Sequence, residues 1–201
     1  MKKQSWVNLF EPIQNDIDTI ITNLNDDTCP NKDAVFKCFD YFDVLDTKVV
    51  IIGQDPYHSK DTATGLSFEA INKKPPSLMN IFKAVRNTYP DAKCNIEHWA
   101  SQGVLMLNRA LTVELNKPNS HTKYWKHITN KMVSILSEYL KKNNVKLIFF
   151  LWGKNAQELI PFIDTSFHTV LTYTHPSPLS RVPFINCDHF RICNTIHDIN
   201  W

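Results

Sequence analysis

Four short apolar runs, each ending in a polar or aromatic cluster, are the feature that most constrains the fold of this chain. They are Val49–Ile52, Val104–Leu107, Lys146–Leu151 (apolar after its first residue) and His168–Tyr173. A continuous apolar run rich in β-branched residues is typical of a strand covered on both faces. Helical patterns between the runs favour an alternating order of strands and helices. We therefore predict an α/β fold with a central four-stranded, mainly parallel sheet flanked by helices on both faces.

Apolar residues at helical spacing predict six helices around these strands. The predicted ranges are Trp6–Leu24, Asp33–Phe42, Ser77–Thr88, Tyr124–Lys142, Asn155–Ile163 and Asp188–His197. Ser77 precedes the apolar positions of its segment, so we expect it to cap that helix. No linker, internal repeat or low-complexity tract divides the 201 residues, which favours one domain spanning 1–201.

Composition excludes several classes of protein. A net charge of +2 does not by itself indicate nucleic-acid binding, because the binding face can be local. Five cysteines without CxxC spacing favour reduced, mostly buried thiols over a disulfide framework or a zinc ribbon. No apolar stretch reaches membrane-spanning length and the first residues lack the apolar segment of a signal peptide, so we expect a soluble, intracellular protein.

Polar clusters follow the predicted strands, where parallel sheets bind their ligands. The first run leads into GQDPYH (53–58), the second into Asn108, the third into Trp152-Gly153, and the fourth into HPSPLS (175–180). Because the ends of parallel strands meet at one edge, these clusters are the candidates for chemistry.

Taken together, the motifs resemble those of family 1 uracil-DNA glycosylases. The resemblance extends from about Trp6 to Trp201. It rests on GQDPYH (53–58), GLSF (65–68), PPSLMNIF (75–82), GVLMLNRALTV (103–113), SH (120–121), LWGKNAQ (151–157) and HPSPLS (175–180), in this order. It implies hydrolysis of the glycosidic bond of flipped-out deoxyuridine in single- and double-stranded DNA, as in base excision repair, with no cofactor, no metal and no lyase activity.

The resemblance implies two catalytic residues. Asp55 matches the carboxylate that orients the attacking water and faces the sugar cation. His175 matches the residue that donates a hydrogen bond to uracil O2 as negative charge builds there, and such donors act through pre-organised electrostatics. By residue type alone, Asp55 could instead cap its own turn and His175 could be an ordinary core or surface histidine.

Four further residues match positions that bind the base. Asn108 presents a donor and an acceptor to the O4 and N3–H edge of uracil, and Phe68 supplies the ring on which the base stacks. Tyr57 crowds C5 and so excludes the thymine methyl group, and the main chain at Gln54 is a further contact. Outside the motif, Asn108 could bond its own turn and Phe68 could be core.

The DNA backbone is the predicted partner of a third group. The predicted DNA-binding residues are Ser77, His121, Ser177, Leu179, Ser180 and Arg181. Hydroxyls and N–H groups near a helix start suit phosphate, whereas Leu179 matches an apolar wedge that enters the duplex. The expected partners are uracil-containing DNA and, by resemblance, DNA-mimicking inhibitor proteins or replication proteins. No membrane partner is expected, and the protein is expected to be a monomer.

The sequence leaves other functions open. A metal hydrolase could use Asp55 with His58, or Cys187, His189 and Cys193, although neither set has a recognised ligand spacing. A two-carboxylate glycosidase lacks a second acid in any strand-end motif, and a lyase lacks a lysine nucleophile. A DNA-binding module without activity is disfavoured because Asp55, His175 and Asn108 are all present.

Overall fold

A parallel four-stranded sheet lies at the centre of the computed structural model, which describes residues 1–201. The strands are β1 (Thr28–Cys29), β2 (Val49–Gly53), β3 (Val104–Asn108), β4 (Val113–Glu114), β5 (Ile148–Trp152) and β6 (Thr169–Tyr173). The central order is β3-β2-β5-β6 with every pair parallel, which confirms the predicted sheet. The sequence did not predict the short antiparallel pair of β1 with β4.

Burial explains why the central strands are continuous apolar runs. Every residue of β2, β3 and β5 is buried, and successive side chains of a strand point to opposite faces. Both faces of the sheet are therefore covered, as predicted. Strand β6 is the partly exposed edge strand.

The register of the sheet aligns the ends of its strands. Gly53 of β2 pairs with Asn108 of β3, and Trp152 of β5 pairs with Tyr173 of β6. The loops that follow all four strands therefore begin along one edge of the sheet, which is where open parallel sheets bind ligands.

Seven α-helices accompany the sheet. They are α1 (Gln4–Phe10), α2 (Gln14–Thr22), α3 (Pro76–Thr88), α4 (Ile96–Ala100), α5 (Thr122–Lys142), α6 (Lys154–Gln157) and α7 (His189–Cys193). The predictions for α3 and α5 are confirmed to within two residues. Helix α4 was not predicted. Its N-cap is Asn95, whose side chain accepts a hydrogen bond from the His98 N–H at 2.9 Å.

The prediction of one helix over Trp6–Leu24 is wrong. The segment forms α1, a 3-10 turn at Glu11–Ile13, and α2. Pro12 lies inside that turn and has no N–H to donate, so the α-helical hydrogen-bond ladder cannot pass through it.

The prediction of a helix over Asp33–Phe42 is also wrong. The chain makes two separate 3-10 turns, at Lys32–Ala34 and Lys37–Phe39. Phe36, between them, has φ −106° and ψ 17°, which lies outside the helical region. The helical spacing of the apolar residues therefore reflects packing into the core rather than a continuous helix.

Three finer predictions also need correction. The helix over Asn155–Ile163 is α6 followed by a 3-10 turn at Ile160–Phe162, which contains Pro161. The helix over Asp188–His197 is only α7. Ser77 is not the cap of α3, because Pro75 is the N-cap and Pro76 is the first helical residue, for which proline is pre-organised.

The five tryptophans anchor the core and are at most 2% exposed. Trp6 packs against Phe39 near the start of the chain, and Trp99 packs against Trp201 near its end, with ring centroids 5.0 and 5.3 Å apart. All five cysteines are free and buried, as predicted. No helix is both long enough and apolar enough to cross a membrane.

Candidate active site

Main-chain hydrogen bonds hold the loops after β2 and β3 side by side. The Arg109 N–H donates to Gly53 O and the Ala110 N–H donates to Gln54 O, each at 2.9 Å. These bonds continue the pairing beyond the ends of the strands. They fix Gln54 and Asp55 beside the end of the strand that carries Asn108.

Asp55 is held by a distant loop rather than by its own turn. Its Oδ2 accepts a hydrogen bond from the main-chain N–H of Asn119 at 2.8 Å, and the Gln54 side chain donates to Asn119 Oδ1 at 2.7 Å. Burial raises the pKa of Asp55, while the Asn119 N–H and nearby His58 act in the opposite direction. The carboxyl group is thus partly desolvated and fixed in orientation.

His175 presents a neutral ring with a defined tautomer. Its Nδ1 accepts the main-chain N–H of Ser177 at 3.0 Å, so the proton of the neutral ring belongs on Nε2. Burial lowers the pKa of His175, which favours the neutral form. Asn80 of α3 donates to Pro176 O at 2.9 Å and ties down the loop. The site therefore contains a fixed Nε2–H donor.

Aromatic rings form one wall beside this histidine. The Phe68 ring lies 5.7 Å from the Trp152 ring and 6.2 Å from the His175 ring, centroid to centroid. Phe68 has φ 65°, a left-handed conformation that is costly for an aromatic residue. Tyr57 donates from its hydroxyl to Phe68 O at 3.2 Å, and burial raises the pKa of this hydroxyl to about 12. The structure thus brings Tyr57, Phe68 and His175 together.

Asn108 offers an unused hydrogen-bonding group at the same edge. The residue is 6% exposed, and its buried Oδ1 has no hydrogen-bond partner. A Cβ atom at Gly53 would lie 2.2 Å from that oxygen, so only glycine leaves room for the amide. A buried polar atom without a partner is costly, and a ligand with a matching donor would satisfy it. The side chain does not bond its own turn.

Three serines lie around this edge in different hydrogen-bonding states. Ser77 lies in the first turn of α3, where main-chain N–H groups lack helical partners. The Ser177 hydroxyl accepts the Leu179 N–H at 3.2 Å and keeps its own proton available. Ser180 uses both of its donors within the loop. Its hydroxyl donates to His175 O at 2.6 Å, and its N–H donates to Ser177 O at 3.0 Å. Ser177 is therefore the better placed of the two loop serines to donate to a phosphate.

Leu179 is the most exposed large apolar residue of the chain, with 94% of its surface accessible. It lies within the turn that the Ser180 N–H closes onto Ser177 O, and Arg181 beyond it is also exposed. An apolar side chain gains nothing from such exposure in the free protein. Its position in the loop that carries His175 suits a contact made only with a bound partner.

His121 is turned toward the protein interior. Its Nδ1 lies 2.9 Å from the Thr112 hydroxyl, which also accepts the Trp125 indole N–H at 2.7 Å. Burial lowers the pKa of His121. A phosphate contact by this residue stays a prediction.

Sequence reasoning missed Asn119, which touches both Gln54 and Asp55. A signal was present in Pro118-Asn119-Ser120, because asparagine tolerates the left-handed conformation that turns need, and Asn119 has φ 64°. The contact itself joins residues 64 positions apart, which no local pattern reveals.

The alternative metal set Cys187, His189 and Cys193 does not form a metal-binding cluster. No three histidine, cysteine, aspartate or glutamate side chains come close enough together to hold a metal ion. His189 instead accepts the Trp152 indole N–H on its Nδ1 at 3.1 Å, inside the core.

Comparison with known protein families identifies the class of protein to which this fold belongs. Residues 39–196 match the model of the uracil DNA glycosylase superfamily, and the chain belongs to that family.

Named relatives and solved structures agree with this assignment. Uracil-DNA glycosylases of Dichelobacter nodosus and Ureaplasma parvum are each 43% identical, over 172 and 174 residues. Each alignment covers 82% of this chain, and 73% and 78% of the respective relative. Mimivirus uracil-DNA glycosylase has a TM-score of 0.83 at 25% identity, covering 97% of this chain and 83% of that one. A mimivirus UNG in complex with UGI has a TM-score of 0.82 at 25% identity, covering 97% and 84%.

Proposed function

We propose that this protein is a family 1 uracil-DNA glycosylase. It hydrolyses the N-glycosidic bond of flipped-out deoxyuridine in single- and double-stranded DNA, releases free uracil and leaves an abasic site in an uncleaved strand. Membership of the superfamily and the names of its relatives support this function. One observation carries this proposal. A fixed Asp55 carboxyl group and a neutral His175 Nε2–H donor both lie in loops that leave the same edge of the sheet.

The two residues act on opposite charges of one transition state. As the C1′–N1 bond breaks, its electrons go to the base and the sugar becomes cationic. The Asp55 carboxylate stabilises the sugar cation and orients the water that adds to C1′, and the proton lost by that water passes to the carboxylate. His175 donates from Nε2 to uracil O2, where the anionic charge accumulates. A neutral donor that is already in place loses nothing to reorganisation.

Base recognition falls to the groups around Asn108. Its Oδ1 accepts the N3–H of uracil and its amide N–H donates to O4. Phe68 stacks on the base, and Tyr57 occupies the space that a thymine methyl group would need. The main chain at Gln54 supplies a further contact. A pocket with a built hydrogen-bond pattern rejects a mismatched base strongly, because the mismatch leaves buried groups unpaired.

Asn108→Asp is expected to relax specificity toward cytosine. A carboxylate accepts a hydrogen bond from the exocyclic amino group of cytosine, whereas the donor of the native amide opposes it. The measurement is release of free cytosine, uracil and thymine from matched single-stranded oligonucleotides. Thymine is the internal control. It should not be released from the oligonucleotide, because Tyr57 is unchanged and still excludes its methyl group. Unaltered release of uracil together with no release of cytosine would contradict this role of Asn108.

DNA binding is assigned to the surface around the base pocket. Ser77 and Ser177 contact phosphates, with His121 and Arg181 as further backbone contacts, and the binding weakens as salt rises. Ser180 uses both of its donors within the loop and supports this surface by holding the loop in place. Leu179 enters the duplex as the nucleotide leaves it, which offsets part of the unstacking cost.

Leu179→Ala is expected to slow uracil release from double-stranded DNA more than from single-stranded DNA. The wedge offsets an unpairing and unstacking cost of roughly a few kcal/mol that a single strand mostly avoids. The test compares both substrates at fixed salt. Leu45→Ala is the control. Leu45 is also exposed, at 49%, but it lies just before β2, at the end of the sheet where the parallel strands begin. Equal fractional losses on the two substrates would show that Leu179 is not a duplex wedge.

Protein partners follow from the same surface. A variant of mimivirus UNG, a structural relative, was solved in complex with UGI. This protein is expected to bind DNA-mimicking inhibitor proteins through its DNA-binding face and to act as a monomer. Replication proteins are a further class of expected partner.

The proposed activity is tested by incubating the protein, in excess chelator, with oligonucleotides that carry one uracil, thymine or cytosine at the same position. We expect free uracil alone to be released, from single and double strands. Release of thymine or cytosine at a similar rate, or loss of activity on chelation, would overturn the proposal.

A further inference from the structure

An exposed aromatic ring lies beyond the base pocket, at the start of α5. Tyr124 is 51% exposed, and Tyr139, near the other end of the same helix, is the only other exposed aromatic residue, at 38%. No function assigned above uses Tyr124.

Main-chain hydrogen bonds connect the backbone of Tyr124 to the segment that holds the proposed catalytic carboxylate. Asn119, whose N–H donates to Asp55, accepts the Thr122 N–H on its carbonyl at 3.1 Å, and the Tyr124 N–H donates to His121 O at 3.0 Å. Tyr124 is thus fixed within two short turns of the residue that orients Asp55.

Tyr124 and Leu179 lie in segments that follow the two outer strands of the central sheet. The Tyr124 segment follows β3 and β4, whereas Leu179 follows β6, and β3 and β6 are the two outer strands of the central sheet. Three strand spacings of about 4.8 Å separate these outer strands. A DNA strand that crosses the edge from Leu179 over the uracil pocket therefore next reaches the Tyr124 side.

The surroundings of the ring suit a nucleotide. Lys123 Nζ lies 4.8 Å from the Tyr124 ring centroid, and the His121 ring lies 5.9 Å away. A cleft of about 630 Å³ opens beside the ring, between the end of α2 and the start of α5. Asn23, Asn25 and Ser120 line it, and its one acidic residue, Glu114, is paired with Lys117 at 2.7 Å.

We propose that Tyr124 is a second DNA-binding position, where the base of an unpaired nucleotide next to the flipped uracil stacks. Exposed aromatic rings beside cations are the common device for holding single strands, because every base has a π-face. Lys123 then lies near the phosphate of that nucleotide, and the cleft receives its base. The inference rests on the proposed function in one respect, that the natural substrate is DNA.

The test measures the affinity for single-stranded DNA that contains no uracil, at fixed salt. Tyr124→Ala is expected to raise the Kd about fivefold or more, the range found when a stacking residue is removed. Tyr124→Phe keeps the ring and is expected to bind like the parent. Tyr139→Ala removes the other exposed tyrosine of the same helix and is the matched control. Equal affinities of the Tyr124→Ala and Tyr139→Ala variants would overturn the proposal.

A fluorescent base locates the contact. 2-Aminopurine is placed one position before or after a non-cleavable uracil analogue, and its fluorescence is quenched when it stacks on a ring. We expect the parent to quench 2-aminopurine at only one of these two positions, and we expect the Tyr124→Ala variant to quench it at neither. Quenching that survives in this variant contradicts the assignment.

These results separate the inference from the proposed activity. If the parent releases no uracil but Tyr124→Ala still weakens binding to single strands, the activity fails and the binding position stands. If the parent releases uracil and Tyr124→Ala binds like the parent, the binding position alone fails.

Discussion

Replacing Asp55 with asparagine is expected to slow single-turnover release of uracil by about 10²- to 10³-fold, or roughly 3 to 4 kcal/mol of transition-state stabilisation. The amide has the same shape and still accepts the Asn119 N–H, so the loop should keep its position. What is lost is the negative charge beside the sugar cation and the group that orients the water. The thermal unfolding midpoint should change little.

Asp61→Asn is the matched control for this variant. Asp61 lies in the loop that follows GQDPYH, is exposed, and has φ 51°, a conformation that asparagine tolerates. We expect this control to release uracil at the rate of the parent. An Asp55→Asn variant that also kept the parent rate would show that the carboxylate does not face the reaction.

His175→Leu is expected to cause a loss of similar size, about 10²- to 10³-fold, because it removes the donor to the developing oxyanion. Leucine fills most of the space beside Phe68, so the base pocket should remain packed. His127→Leu changes an exposed histidine of α5 and serves as the control. Parent-like uracil release by His175→Leu would contradict the role of the imidazole.

The pH dependence follows from the directions of the two pKa shifts. Burial lowers the pKa of His175, so its ring is neutral at pH 7 and becomes protonated only in acid. Burial raises the pKa of Asp55, so its carboxylate is also lost in acid. Both effects predict that activity falls as pH falls and that neither residue limits it above neutrality. Measured profiles of single-turnover rate check this, and a rate that rises in acid would contradict it.

The central sheet could be predicted from the sequence because its strands are buried on both faces. Val49–Ile52 and Val104–Leu107 have no polar residue to suggest any other structure, and both are strands in the structure. The helices were harder to predict. Pro12 divides Trp6–Leu24, and the backbone of Phe36 interrupts Asp33–Phe42, although both segments have apolar residues at helical spacing.

The candidate site could be predicted only as a set of residues. Motif order brought Asp55, Asn108 and His175 to one sheet edge, and the parallel register agrees with that placement. Their states depend on contacts that local patterns do not contain. The Ser177 N–H sets the tautomer of His175. Glycine at position 53 makes room for the Asn108 amide. Asn119, 64 positions away, fixes Asp55.

Single-turnover release of free uracil from a defined oligonucleotide is the deciding measurement, with the parent, Asp55→Asn and His175→Leu compared side by side in chelator. We expect one free uracil per abasic strand for the parent, no strand cleavage, and about 10²- to 10³-fold slower release by each variant. Absence of free uracil with the folded parent, or equal rates for all three proteins, would contradict the proposed function.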